Sequence, residues 1–170
     1  MKTETPMLAV AIRSGAKPLS DVLAYTNTDV VERIAKDNNL SPQDADEILT
    51  DTLRFLYLAG ATDAANLAPT KEIDMGWHAF LMFTKDYADF CHQNLGRFVH
   101  HAPRRSNDPA PKINHLAVTF DIARQFFGND LSKNWQFDIR SADCESTKCT
   151  SSCSPDTGGG GNECTPDYDK

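Results

Sequence analysis

The chain has 170 residues, of which 40% are hydrophobic and 24% are charged, so it contains enough apolar material for one folded domain. Its formal net charge of −7 provides no overall attraction for phosphate backbones or anionic lipids, which disfavours nonspecific binding to nucleic acids or membrane surfaces. The apolar runs are far shorter than the ~18 residues that span a bilayer, and the first residues lack the pattern of a signal peptide. We therefore expect a cytoplasmic protein that does not bind membranes.

The first part of the chain predicts a lead-in segment followed by two helices. Residues 1–26 have weak periodicity and are expected to be extended or partly helical. Apolar residues recur at helical spacing over Thr28–Asn38. Ser41 is placed to cap a second helix that has Pro42 at its first position, and Gly60 is placed to end it.

Three further helices are predicted, over residues 71–83, 85–95 and 112–127. Thr70 and Thr84 are placed to cap the first two, and Gly96 is placed to close the second. The predicted helices 71–83 and 85–95 are separated by one residue, and so short a connection indicates a helical hairpin or a sharp kink. Trp135 and Phe137 are expected to pack back on the core. The pattern as a whole predicts an all-α fold, a compact bundle of about five helices.

The composition changes near residue 141. We expect a lead-in at 1–26, a helical domain at 27–140, and a flexible, acidic, Cys/Gly-rich tail at 141–170, which has too few apolar residues to order itself. Six acidic residues and two lysines give this tail a net charge of −4, which leaves −3 for the rest of the chain. The helical domain is therefore closer to neutral than the whole chain. Its charge argues less strongly against a nucleic-acid partner than the total charge does.

Histidines and cysteines are unevenly distributed along the chain. Four of the five cysteines lie in the tail, at Cys144, Cys149, Cys153 and Cys164. Their spacing fits no zinc motif, and they could serve as redox-active or metal-scavenging thiols. Four of the five histidines and the fifth cysteine lie within residues 78–101. This second group marks the candidate site of the helical domain.

A mixed Asp/His/Cys site for zinc or iron is geometrically conceivable in that stretch. Asp74 and His78 are four residues apart and share a helix face, and a hairpin could bring Cys91 near them. Adjacent residues of an extended segment point in opposite directions, so only one of His100 and His101 faces a given site easily, and we favour His100. The metal hypothesis therefore comprises Asp74, His78, Cys91 and His100.

Plain structural roles compete with this hypothesis. Asp74 and His78 could be a hydrogen-bonded pair with no role as ligands, and Cys91 could be a small buried side chain. Trp77 and Tyr87 are candidates for the pocket wall, although aromatic residues at helical spacing more often form core.

A basic patch lies beside the histidines. It comprises Arg97, Arg104 and Arg105, and it is either a solvated loop or a docking site for an anion or an acidic partner.

The motifs D-x-x-W-H at 74–78, Y-x-x-F-C at 87–91 and G-R-F-V-H-H-x-P at 96–103 resemble the glycine-rich domain-containing protein-like family. The resemblance covers about residues 70–103 and implies a small helical domain followed by a Gly/Ser/Cys-rich tail. It assigns no established enzymatic activity to the chain. Members commonly have a second histidine two places after the W-H pair, where this chain has Phe80. The resemblance extends to Asp74, Trp77, His78, Tyr87, Phe90, Cys91, Gly96, His100 and His101.

The sequence favours a non-catalytic interaction or scaffold protein that has a His-rich pocket and protein partners. The alternative is a zinc- or iron-binding protein, or a metal-dependent enzyme, that uses the four ligands named above. A third hypothesis assigns the metal or redox function to the tail cysteines. Whether the protein is an enzyme is left open.

Overall fold

In the part of the chain that the structure describes, each helix of more than ten residues begins at a residue whose side chain accepts a hydrogen bond from the backbone of the first turn. Asn27 accepts from the Val30 amide, and Ser41 accepts from the Asp44 amide. Thr70 and Asn114 do the same for two later helices. Such caps satisfy amide groups that have no partner within the helix, so they fix where each helix starts.

The computed structural model of the chain describes residues 10–103, 107–109, 112–129 and 131–136. All of them belong to one compact unit, 1–138. The second unit, 139–170, lies outside the described residues, as does the predicted flexible tail within it. The described elements are α1 (Leu19–Leu23), α2 (Thr28–Asn38), α3 (Pro42–Ala61), α4 (Lys71–Leu81), α5 (Thr84–Phe90), a π-helical turn (Cys91–Leu95), α6 (His115–Phe127) and a 3-10 turn (Lys133–Trp135).

Helix α3 is the central element of the fold. It contacts α1, α2, α4, α6 and both turns, and most of its residues are buried. Two residues, Met82 and Phe83, join α4 to α5, and these helices pack through Phe80 and Tyr87, whose ring centroids are 5.2 Å apart. The all-α prediction is confirmed, and no strand occurs in the part of the chain that the structure describes.

The structure has six α-helices in the described residues, and the one beyond the five expected is α1, which lies in the predicted lead-in. Val22 of α1 is fully buried in the same core as α2, α3 and α4. Residues before α1 also contact α3, because Ile12 and Thr62 form an isolated antiparallel bridge. None of the described helices is both long and apolar enough to cross a membrane.

Three predicted helix termini, one in α3 and two in α5 and its continuation, differ from the structure. Gly60 lies inside α3, where a Cβ atom would come within 2.7 Å of Leu95 and 2.8 Å of Val99, so it permits close packing and does not end the helix. Phe83, not Thr84, precedes α5. The helix expected over 85–95 changes to a π turn at Cys91, although Gly96 does close it in the left-handed conformation, with φ 74°.

A buried carboxylate attaches the C-terminal turn to α3. Asp51 is fully buried, and it accepts hydrogen bonds from Trp135 Nε1 at 2.9 Å, Asn134 Nδ2 at 3.0 Å and the Ser132 hydroxyl. Arg54 forms an ion pair with the same carboxylate at 2.8 Å. Trp135 therefore packs on the core as predicted, whereas Phe137 lies outside the described residues.

The same turn also meets the start of α4. The Thr70 hydroxyl accepts from the Ile73 amide at 3.3 Å and donates to the Asn134 carbonyl oxygen at 2.6 Å. One side chain thus caps α4 and binds the 3-10 turn, so the beginning of α4 is fixed relative to α3 through Asn134 and Asp51.

We expect Asp51→Asn to lower the free energy of unfolding by about 3 kcal/mol or more, because one amide oxygen cannot replace a buried carboxylate that serves four donors. Urea denaturation followed by circular dichroism measures the change. Asp46→Asn, at an exposed position of the same helix, is the matched control and should change stability by less than about 0.5 kcal/mol. Equal effects at the two positions would contradict the role of Asp51.

Gly76 permits the close approach of α3 and α4, and Gly76→Ala should destabilise the fold. Its Cβ atom would lie 2.2 Å from the Thr52 hydroxyl and 2.8 Å from Ile48 Cγ2. Overpacking of this kind costs about 1–3 kcal/mol or more, which exceeds the ~1 kcal/mol that alanine gains over glycine in a helix. In a Thr52→Ala background the loss should be smaller. A loss of the same size there, measured by urea denaturation, would show that Thr52 is not the obstacle.

Candidate functional site

One carboxylate and two imidazoles converge on the outer side of α4. Each of Asp74, His78 and His101 offers a ligand atom, and these atoms lie within 4.8 Å of one another. His101 Nε2 is 2.8 Å from Asp74 Oδ1, and His78 Nδ1 is 3.2 Å from Asp74 Oδ2. The two imidazole rings are in contact, with centroids 4.4 Å apart. We call these three residues the Asp–His–His cluster.

Two elements supply the cluster. Asp74 and His78 lie one turn apart on α4, as their spacing predicts. His101 comes from the extended segment after the π turn, which starts at Gly96. The cluster therefore joins two parts of the chain that only tertiary packing brings together.

The expectation that His100 would face Asp74 is wrong, and His101 takes that place. Side chains alternate along the extended segment: Val99 is buried, His100 is exposed, and His101 turns back toward α4. The Phe98 and His100 rings contact each other, with centroids 4.8 Å apart. The sequence signal for His101 is Val99. A β-branched apolar residue at 99 is expected to face inward, and in an extended segment residue 101 then faces the same way.

A buried pair of hydrogen bonds holds the extended segment in place. Tyr87 donates its hydroxyl proton to the Val99 carbonyl oxygen at 2.6 Å and accepts from Trp77 Nε1 at 3.0 Å. The Trp77 ring also packs against His101, with centroids 4.4 Å apart. Trp77 and Tyr87 therefore lie beneath the cluster as support for His101, and both are almost fully buried.

The hydrogen bonds indicate which imidazole nitrogens carry protons. His78 Nδ1 is 2.8 Å from the Asp74 carbonyl oxygen, which can only accept, so this nitrogen is the donor. His101 Nε2 faces a carboxylate oxygen and donates in the same way. In the neutral form, each ring then keeps one unprotonated nitrogen, His78 Nε2 and His101 Nδ1. Asp74 is the common acceptor that orients both rings.

Cys91 does not join the cluster. It is fully buried at the start of the π turn. Burial raises the pKa of its thiol, and hydrogen bonds with the Val99 backbone and the Tyr87 side chain only partly oppose that increase. The metal hypothesis placed Cys91 near Asp74 and His78, because a residue late in the second helix of an antiparallel hairpin lies beside the start of the first. The Cys91 side chain instead contacts the residues that anchor the extended segment.

The predicted basic patch is only partly described. The Arg97 side chain donates from Nε to the Gly60 carbonyl oxygen at 3.1 Å and from Nη2 to that of Ala59. Arg97 thereby satisfies carbonyl groups in the last turn of α3. Arg104 and Arg105 lie outside the described residues.

A protein-family model described as UCP032817-like matches residues 22–116. The match includes α2 to α5, the π turn and all three residues of the Asp–His–His cluster. Comparisons with curated proteins and with solved structures return no significant match.

We expect Tyr87→Phe to lower the free energy of unfolding at pH 7 by about 1–3 kcal/mol, since it leaves the Trp77 indole N–H and the Val99 carbonyl group without their partner. Burial also raises the pKa of Tyr87. The unfolded chain therefore loses the phenol proton first, and wild-type stability should fall as the pH rises through about 10. The variant should show a shallower fall, measured by urea denaturation at several pH values.

Tyr57→Phe is the control for this prediction. Tyr57 is equally buried, but its hydroxyl makes no hydrogen bond among the residues that the structure describes. Its loss should change stability at pH 7 by less than about 0.5 kcal/mol. A similar loss in both variants would show that the hydrogen bonds of Tyr87 are not its cause.

Proposed function

The chain belongs to the UCP032817-like family, and we propose that its helical domain binds a divalent transition-metal ion through Asp74, His78 and His101. The observation that carries the proposal is the convergence of three ligand atoms within 4.8 Å. Two of the four ligands in the sequence hypothesis, Asp74 and His78, are kept. His101 replaces His100, and Cys91 is left out.

The ligand set suits zinc or ferrous iron. Two imidazoles and one carboxylate are typical of catalytic zinc sites and of non-haem iron sites. Bonds of about 2.0–2.2 Å place any two ligands of one ion within about 4.4 Å of each other. The cluster therefore needs a small contraction to bind an ion. His78 Nδ1 and His101 Nε2, which donate hydrogen bonds to Asp74, must also transfer their protons to the other ring nitrogen or to solvent before they coordinate the ion.

Metal binding would also stabilise the fold. The ion would link α4 to the extended segment, and these two parts meet only in the folded chain. A ligand that binds only the folded state stabilises it by about 2.7 kcal/mol at a concentration of 100 times its Kd. A metal-dependent rise in Tm is thus a direct consequence of the proposal.

The second candidate is the non-catalytic interaction or scaffold role, with a protein partner at the His-rich surface. Met82 favours it, because this residue is 63% exposed and follows His78 by about one helical turn. The finer resemblance to the glycine-rich domain-containing protein-like family and the cytoplasmic location stay predictions. No catalytic residue is assigned.

The metal-binding test uses the full chain with the four tail cysteines replaced by serine, so that tail thiols cannot bind the metal. Titration calorimetry with Zn²⁺ should give one ion per chain. His78→Ala and His101→Ala should each weaken binding by tenfold or more, since each removes a direct ligand.

His100→Ala is the matched control, because it removes an exposed imidazole next to His101 that lies outside the cluster. Its affinity should equal that of the parent. If no Zn²⁺ binds to the parent, or if all three variants bind equally, the proposal is wrong and the interaction role becomes the favoured function. Metal binding only in the chain with intact tail cysteines would support the tail hypothesis instead.

A further inference from the structure

The exposure of the three ligands is strongly graded. The side chain of His101 is 13% exposed, that of Asp74 37%, and that of His78 58%. The inner side of the cluster is closed by the Trp77 ring, which packs on His101. An ion bound here would therefore be covered by protein on one side and would face solvent on the side of His78.

The described residues provide no fourth histidine, cysteine or carboxylate ligand. No other histidine, cysteine or acidic side chain among them joins this group within ligand distance. Cys91, the one described cysteine, is buried among Tyr87 and Val99 and is absent from the group. Three protein ligands leave at least one position of a tetrahedral ion, and three of an octahedral ion, to be filled from solvent.

We infer that the metal in this cluster keeps an open coordination position, occupied by water that a small anionic or oxygen-donor ligand can replace. The inference rests on the proposed metal-binding function. Structural zinc sites are closed by four protein ligands, whereas sites with three protein ligands and a water carry out Lewis-acid chemistry or activate that water. The arrangement thus points to an exchangeable ligand at the surface and not to a purely structural ion.

The exchange is a simple ligand substitution. The metal–water bond breaks, water leaves for bulk solvent, and the incoming anion donates an electron pair to the vacated position. No oxidation state changes and no co-reactant is needed. Because His78 is the most exposed ligand, the anion approaches on its side of the cluster.

The experiment uses Co²⁺ as a visible probe and azide as the anion. Co²⁺ is added to the full chain, both wild-type and with the four tail cysteines replaced by serine, and azide is then titrated into each complex. We expect a saturable change in the visible absorption of Co²⁺ in both chains. His100→Ala should behave like its parent, and His101→Ala should lose the Co²⁺ spectrum itself.

The outcomes separate the two proposals. A Co²⁺ spectrum that azide leaves unchanged in both chains would overturn the open position, while metal binding by the cluster would stand. An azide response confined to the serine variant would also overturn it, because a tail thiol would then fill the position in the natural chain. Absence of any cluster-dependent Co²⁺ spectrum would refute the metal-binding function, and the open position with it.

Discussion

The hydrogen bond from the Tyr87 hydroxyl to the Val99 carbonyl oxygen is the contact on which the candidate site depends. It fixes a segment without regular secondary structure against two helices, and His101 follows two residues later on the same side. The partner of Tyr87, Trp77, belongs to the α4 turn that also bears Asp74 and His78. A buried polar link inside the core therefore determines which surface residues can meet, and it does so at the cost of burying a phenol whose pKa is raised.

Local features of the fold were predictable from sequence, because they depend on neighbours within one helical turn. Ser41 and Thr70 cap the helices that their positions indicated, and the bounds of α2 agree with its apolar spacing. Gly60 shows where local inference stops. A glycine near the end of an apolar stretch fits a helix end, yet its actual role is to admit Leu95 and Val99, which lie far away in sequence.

The site was only half predictable for the same reason. The pairing of Asp74 with His78 follows from helical spacing, whereas the choice between His100 and His101 depends on how the segment lies on Tyr87. The role of Asp51 could not be predicted from sequence, because a carboxylate within an amphipathic helix is normally solvated. Its burial makes sense only once Ser132, Asn134 and Trp135 fold back on α3, about eighty residues later in the chain.

The π turn at Cys91–Leu95 has a consequence for how the chain tolerates changes in length. A π turn is an α-helix that accommodates one extra residue. Because that residue is taken up within one wide turn, the segments before and after it keep their relative phase about the helix axis. Deleting one residue here would restore regular α-helical geometry with little rotation of Gly96, and His101 would still reach α4. The turn is thus the position at which the helix tolerates a change of one residue without moving the site that its continuation completes.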